Sequence, residues 1–466
     1  MELKIQKISL IIILVSLLVR GFLLFLNPIS MWADPLARFV PNTFSVLRGD
    51  FSFYTPPLLM ILNSLPTLFL RGYLLEISWK VVPFIFFVLS LIIFLKIIPL
   101  MDLNNGGRTL LLALFSLNVY SLLLSTTIML EMLVLFFTLC LFYIFEKEIK
   151  MDIKWFFIVL FCSALLLYSK QTGYFILGGF GLYLLFDKRE IREKIKGFFA
   201  LGGGFILNLP WLIKNQILYG NMLSVGTGVA DSLSNNQFIS LPTNVAYLSF
   251  KTLEYFYRIP PLEKLNYSGI FLVASRVYYF GFLICGAILS FLILEGILKY
   301  GREYFRWIIL ILPTLVLSIM WTFFIYHHAY CDFGRYLFSF YFILFSFGIR
   351  VIEKTKGVKK NVLCLIVILF CLLSIVTSVA TSYKFKTQDD ELRIVGTKIQ
   401  NLNGTFICND MFSASVLKYY SGKEVDFLKE TNIIDLDVNC SGRIVLETSK
   451  YKLSQGKQSP YEICLK

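Results

Sequence analysis

Residues 8–26 read Ile8-Ser9-Leu10-Ile11-Ile12-Ile13-Leu14-Val15-Ser16-Leu17-Leu18-Val19-Arg20-Gly21-Phe22-Leu23-Leu24-Phe25-Leu26, an apolar run broken by one charge, Arg20. Crossing the hydrocarbon core takes roughly 20 apolar residues in a helix, so this run predicts a membrane-spanning helix. It is too long for the apolar centre of a cleavable signal and lacks a clear small-residue cleavage site, so it is expected to stay in the chain. Composition agrees. Hydrophobic residues make up 57% of the chain and charged residues 16%, against roughly 25% charged in a soluble domain. A soluble reading of 466 residues would suggest about three domains, and the apolar runs overrule it.

Working outward, further runs lie at about 81–100, 109–126, 128–145, 155–169, 172–186, 197–213, 269–298, 307–326, 336–350 and 361–383. The expected fold class is an α-helical polytopic membrane protein of about eleven transmembrane helices, with a small C-terminal α/β domain outside the cytoplasm. Residues 1–383 form the expected membrane domain, including a first extracytoplasmic loop at 27–80. Residues 384–466 form the expected soluble domain.

Basic residues set the orientation. Lys4 and Lys7 precede the first run, and Lys147, Lys150 and Lys154 follow the fourth. Further clusters are Lys188 to Lys196, Lys299 to Arg306 and Arg350 to Lys360. All fall on one side if 155–186 is a helix pair turning at Lys170 and 109–145 a pair turning near Ser125-Thr126-Thr127. That side should be cytoplasmic. The chain is then a multi-pass cell-membrane protein with a cytoplasmic N-terminus and an extracytoplasmic tail. The net charge of +14 is mostly this topology signal. It is spread over separate loops and does not point to nucleic acid.

The tail breaks the apolar pattern. It reads as 389–402 amphipathic, 405–408 apolar, 411–420 helical, then strand-like pieces at 424–428 and 443–447, an alternation that suggests a small α/β layer. Gly202-Gly203-Gly204 lies inside an apolar run and is read as a close-packing surface rather than a phosphate loop. Cys140, Cys162, Cys285, Cys364 and Cys371 fall in apolar runs as fillers. Cys331, Cys408, Cys440 and Cys464 should face an oxidising compartment, with a disulfide open and its pairing unfixed. Asn266, Asn403 and Asn439 stand in glycosylation sequons. Asp435-Leu436-Asp437 is read as a surface turn.

Ionisable residues at membrane depth cost about 2.5–3.5 kcal/mol each on an insertion scale and so need a reason. Here they gather near the external ends of spans: Asp34 and Arg38, Glu131, Lys170, Lys214, Arg276, then His327, His328, Asp332 and Arg335. Carboxylates with several cations at one face suit an anionic, lipid-embedded substrate. A transporter would instead place polar groups near the midplane. The first loop reads Arg20-Gly21, Asn27-Pro28, Trp32-Ala33-Asp34, Arg48-Gly49-Asp50 and Tyr54-Thr55-Pro56-Pro57-Leu58. Beyond it come Glu131, Lys170, Pro210-Trp211-Leu212-Ile213-Lys214-Asn215, Tyr219-Gly220-Asn221, Gly334-Arg335-Tyr336-Leu337 and Leu417-Lys418-Tyr419-Tyr420-Ser421-Gly422.

In the order and spacing of these pieces the chain resembles the GT-C superfamily of membrane glycosyltransferases, nearest the protein O-mannosyltransferase and lipid A aminoarabinose-transferase group. The resemblance implies transfer of a sugar, with inversion, from a polyprenyl-phosphate donor to an acceptor hydroxyl at the outer membrane face. The acceptor would belong to a protein, lipid or glycan. By the same resemblance Asp34 is the general base and Glu131 the second acid. Arg335, Lys170, Lys214 and Arg276 are candidates for the donor phosphate, and Arg38, Asp50, Pro56 and Pro57 belong to the loop motif. The chemistry needs a carboxylate base. A phosphate leaving group needs cations or a metal rather than a general acid. No cofactor is required, and a divalent metal stays open, with Asp34, His327 and His328 to hold it. The chain departs from the group at Pro35, where Glu is common, and at Tyr54-Thr55, where His or Lys is common.

Plainer readings stand beside these. Asp34 is also a candidate helix cap, Glu131 a partner for Arg20 or Arg276, and Lys170 and Lys214 snorkelling residues. The histidines read equally as a solvated pair. The rival function is a transporter or flippase of lipid-linked saccharides, and a second rival is a non-catalytic scaffold.

Overall fold

The computed structural model describes residues 7–31, 34–222, 270–324, 334–402, 406–408, 411–423, 425–427, 443–447, 451–455 and 461–465. His327, His328, Cys331, Asp332 and Cys440 lie outside these residues, as do the three sequon asparagines and Asp435-Leu436-Asp437.

Every apolar run falls on a helix. α1 is Lys7–Leu26, and the first loop folds into α2 (Val40–Leu47) and α3 (Leu58–Phe69). α4 is Gly72–Ile97, α5 Asn105–Leu117, α6 Val119–Leu124, α7 Glu131–Glu146, α8 Ile153–Ser169 and α9 Gly173–Leu185. α10 is Ile191–Tyr219, α11 Ile270–Tyr300, α12 Phe305–Phe324, α13 Tyr341–Lys354 and α14 Gly357–Gln400. Six helices among the described residues are long and apolar enough to cross a membrane alone. α9 has 13 residues, about 20 Å at 1.5 Å per residue, which is short of the hydrocarbon thickness.

Two local details explain breaks in the apolar runs. Asn118 ends α5 and caps α6, its side-chain oxygen accepting from the Ser121 N–H at 2.9 Å, so the 109–126 run is two helices. Lys170 is the extended residue closing α8, which makes residues 155–186 the expected pair. α13 runs down the centre, with Tyr341 to Ile352 continuously buried.

Around it the helices pack closely where glycine permits. A Cβ on Gly204 of α10 would collide with the Ser163 side chain of α8, and it would lie 2.9 Å from the Ala164 nitrogen. α10 ends where Gly220 adopts φ 68°, a left-handed turn glycine takes without strain.

Three boundaries differ from expectation. The first loop is largely helical. α4 starts at Gly72 instead of 81, because Glu76 and Lys80 are buried against neighbours rather than held in solvent. α14 continues unbroken through 383 to Gln400, since the amphipathic 389–402 segment keeps helical periodicity and no Pro or Gly intervenes at the junction.

The tail is then built on α14. α15 (Met411–Ser421) packs against it, beside a five-stranded sheet of order β2-β1-β5-β4-β3. The strands are β1 Phe406–Cys408, β2 Val425–Phe427, β3 Arg443–Glu447, β4 Tyr451–Gln455 and β5 Tyr461–Leu465. β1 pairs in parallel with β2 and β5, and β3-β4-β5 are antiparallel. The strands at 451–455 and 461–465 were not anticipated from sequence, being short and rich in Lys, Ser and Glu.

Candidate functional site

Helix direction decides which residues can meet. Glu131 opens α7, and the basic connection at 147–152 closes it. Lys170 closes α8, which begins beyond that same basic connection. Both residues therefore sit at the end of the bundle opposite the basic loops. Asp34 follows α1 at the same end, just before a π-helical turn, Pro35–Phe39. Arg335 lies on a helical turn, Gly334–Leu337, that leads into α13.

These four residues form one cluster. Arg335 Nη2 lies 3.2 Å from Asp34 Oδ2, and Arg335 Nε lies 3.5 Å from Glu131 Oε1. Lys170 Nζ donates to the same Glu131 oxygen at 2.6 Å. Arg38 Nη1 stands 3.6 Å from Asp34 Oδ1. Tyr336 lies under the cations, its ring centroid 4.8 Å from Lys170 Nζ and 5.7 Å from the Arg335 guanidinium carbon. Among the described residues three cations thus face two carboxylates, one positive charge in excess.

The electrostatics follow. Partial burial of Asp34 opposes its ionisation. The charges on Arg335, Arg38 and Lys170 outweigh that effect, and the carboxyl is held below its ordinary range. The Glu131 side chain is only 4% exposed. Its Oε2 has no hydrogen-bond partner among the described residues. A buried carboxylate in this state relies on its ion pairs.

Other predicted residues are placed elsewhere. Lys214 is turned to the first loop, donating to the Phe51 carbonyl at 3.0 Å and to the Phe53 carbonyl, with its ammonium 3.5 Å over the Trp211 ring. It fixes the loop, and its described contacts are with the loop and Trp211 rather than with Asp34 or Glu131. Asp50 is exposed and accepts from the Ser52 N–H at 2.8 Å, a local turn contact. Pro56 and Pro57 are buried, and Pro57 leads into α3. Arg276 lies on α11, and its side chain is outside the described residues.

Among the described residues Glu131 does not pair with Arg20, and the alternative partner Arg276 has its side chain outside them. Arg20 is fully buried, donating to Ser125 Oγ at 2.8 Å and Ser121 Oγ at 2.6 Å and stacking on Phe87. Among the described residues no three His, Cys, Asp or Glu side chains group as metal ligands.

Sequence reading missed a second polar cluster that holds the Asp34 loop from the tail side. Ser30 donates to Asp389 Oδ1, and Tyr420 donates to Asp389 Oδ2 at 2.7 Å. Arg393 donates to Glu76 at 2.9 Å and to Tyr420 OH at 3.0 Å. Lys80 donates to the carbonyls of Leu24 and, at 2.8 Å, Asn27. The available signal was Glu76 and Lys80, one helical turn apart beside an apolar run. An apolar groove of about 320 Å³ opens between α9 and α10, lined by Tyr174, Gly178, Gly181, Phe198, Gly202 and Phe205 among others.

No protein-family model matches the chain, and no curated protein matches it. Solved structures do. The crystal structure of ArnT from Cupriavidus metallidurans bound to undecaprenyl phosphate matches with TM-score 0.52 and 11% identity, over 91% of this chain and 86% of that one. Its apo form matches with TM-score 0.51 and 11% identity, over 90% and 85%. The Archaeoglobus fulgidus oligosaccharyltransferase, tethered by a disulfide to an acceptor peptide with the NVT sequon, matches with TM-score 0.52 and 13% identity. That match spans 91% of this chain and 64% of the other. Both proteins are GT-C superfamily members. This chain therefore shares the polytopic helical fold of these two proteins.

Proposed function

We propose that this chain is a membrane glycosyltransferase that moves a sugar, with inversion, from a polyprenyl-phosphate donor to an acceptor hydroxyl at the extracytoplasmic face. One observation carries the reading: Arg335 stands between Asp34 and Glu131, with Lys170 beside it, in a cluster with one cation in excess. A phosphate monoanion fits that excess, and Arg335 is able to grip it through two N–H groups. The likeness to a fold that binds undecaprenyl phosphate in ArnT supports the donor class. The apolar groove between α9 and α10, whose lining begins at Tyr174, four residues after Lys170, offers room for an isoprenoid chain.

The chemistry divides by residue. Asp34 takes the acceptor's hydroxyl proton as the oxygen attacks the anomeric carbon. The bond from that carbon to the phosphate oxygen breaks, and its electron pair leaves with the phosphate. Arg335 and Lys170 stabilise the charge that grows there. Glu131 keeps the two cations side by side before the donor arrives. Phosphate is a good leaving group, so no general acid is needed, unlike glycoside hydrolysis.

A divalent metal is a poor fit to the described residues, because the carboxylates of Asp34 and Glu131 both face cations. No step is routed through one. The test is reconstitution in liposomes with a panel of polyprenyl-phosphate sugars, comparing the native chain with Asp34→Asn. Transfer by the native chain alone is expected. Equal transfer by both sinks the assignment of the base, and movement of intact lipid-linked sugar across the bilayer without transfer favours a flippase.

A further inference from the structure

We infer that one face of α10, with Thr55 of the first loop, seats the sugar being transferred, and that this sugar is neutral. The inference rests on the transferase reading above and narrows its substrate. Asn208, Trp211 and Asn215 recur at i, i+3 and i+7, so they share a helix face. Their exposures are 0%, 8% and 2%, and that of Thr55 is 5%. Each carries a polar atom without a hydrogen-bond partner among the described residues: Asn208 Nδ2, Trp211 Nε1, Asn215 Oδ1 and Thr55 Oγ1. Buried polar atoms are nearly always paired, and an unpaired one weakens the fold. Four in one region call for a reason beyond packing.

The region reaches toward the candidate site at both ends. At its base, Tyr168 donates to the Leu207 carbonyl at 3.0 Å, and Tyr174 donates to the Asn208 side-chain oxygen. Those two tyrosines flank the turn that carries Lys170. At its top the first loop closes over the helix. Phe53 packs on Trp211 with ring centroids 5.7 Å apart, and Lys214 holds the Phe51 and Phe53 carbonyls. The next residue, Tyr54, has its ring 5.3 Å from the guanidinium of Arg38, which pairs with Asp34. The face therefore joins the phosphate-side cation to the loop beside the base.

The kind of atom present selects the ligand. Asn208 Nδ2 and Trp211 Nε1 only donate, Asn215 Oδ1 only accepts, and the Thr55 hydroxyl does both. An anion would want donors alone, and a metal ion acceptors alone. A set with both, and no formal charge, suits the hydroxyl groups of a neutral sugar. The charge beside it, the Lys214 ammonium 3.5 Å over Trp211, is already held by the Phe51 and Phe53 carbonyls, so the set itself gives a uronate or a protonated amino sugar no free partner.

Thr55→Val deletes the polar atom while keeping the shape, and Trp211→Phe deletes the indole N–H at the cost of some ring volume. The probes are undecaprenyl phosphate carrying glucose, N-acetylglucosamine, galacturonate or 4-aminoarabinose, presented to the reconstituted full chain. With a neutral sugar, each variant should lose roughly three- to tenfold in kcat/KM, the worth of one hydrogen bond. Binding of undecaprenyl phosphate without sugar should match the native chain. Thermal stability of Thr55→Val should equal or exceed the native value, because an apolar isostere removes an unpaired buried group. A purely structural role would instead lower it. Unchanged transfer in both variants overturns the inference. So does a native chain that transfers only the uronate or only the amino sugar. A native chain that transfers none of the four refutes the transferase reading itself.

Discussion

Arg335 Nη2 stands 3.2 Å from Asp34 Oδ2, joining residues 301 positions apart in the chain. Before any substrate arrives, the candidate base is tied to the candidate phosphate ligand. An incoming phosphate competes with Asp34 for the guanidinium, so donor binding would release the base at the moment it is needed.

The simplest consequence is for Asp34→Asn. The amide keeps the shape and loses the proton-accepting charge. Transfer should fall by roughly 10²–10⁴-fold, the usual worth of a positioned base. Retention of undecaprenyl phosphate, followed by equilibrium binding in detergent, should persist. An Asn variant with more than a tenth of native turnover contradicts the assignment.

The acid limb of the pH profile should respond to Arg335. Burial works against the Asp34 carboxylate, and Arg335, Arg38 and Lys170 overcome it, so its carboxyl lies below the ordinary value. The basic form then survives down to pH values under the usual carboxylate range and is lost as pH falls through the depressed value. Arg335→Met removes the nearest opposing charge and should move the acid limb of kcat/KM to higher pH. A limb that stays in place while activity drops would mean that Asp34 is not the titrating group.

Glu131 and Lys170 form a buried pair, with side-chain exposures of 4% and 13%. Glu131→Leu takes from Lys170 the carboxylate it contacts and leaves it beside Arg335, which keeps Asp34, and breaking such a buried pair costs about 3–5 kcal/mol. Thermal unfolding should show that loss. The double variant Glu131→Leu with Lys170→Leu should recover part of the stability and none of the transfer. Full recovery of transfer would remove Lys170 from the donor site.

The two neighbouring glycines of α10 offer a packing test. Gly204 meets α8 backbone and the Ser163 side chain, whereas a Cβ on Gly202 would find nothing within 4 Å. Gly204→Val should destabilise by about 1–3 kcal/mol through overpacking. Gly202→Ala should leave the unfolding midpoint nearly unchanged. Equal effects would show that the α8–α10 contact is looser than described.

Much of this was readable in the chain because membrane helices declare themselves by length and apolarity. Positive loops then fix which ends belong together, and that places Glu131 and Lys170 at one rim from sequence alone. Asp34 and Arg335 joined them only through the order of short family-like pieces. The contacts of Lys214 were not legible, because spacing tells which end of a helix a cation occupies, not which way it turns. Here it turns to the Phe51 and Phe53 carbonyls. The Ser30–Asp389–Tyr420 cluster was illegible for a related reason. It depends on a contact between residues 359 apart, and no local pattern encodes that.

α14 is one uninterrupted helix of 44 residues, about 66 Å long at the usual rise. Its lower part lies among membrane helices, and its upper part presents Asp389 to Ser30, four residues before Asp34. A rod of this kind has a fixed phase. Adding or removing a single residue midway would swing everything beyond it by about 100° and slide it about 1.5 Å. The carboxylate would then miss its serine. Hairpins elsewhere in the chain have room to lengthen, but the number of residues in this shaft is itself part of how the Asp34 loop is aimed.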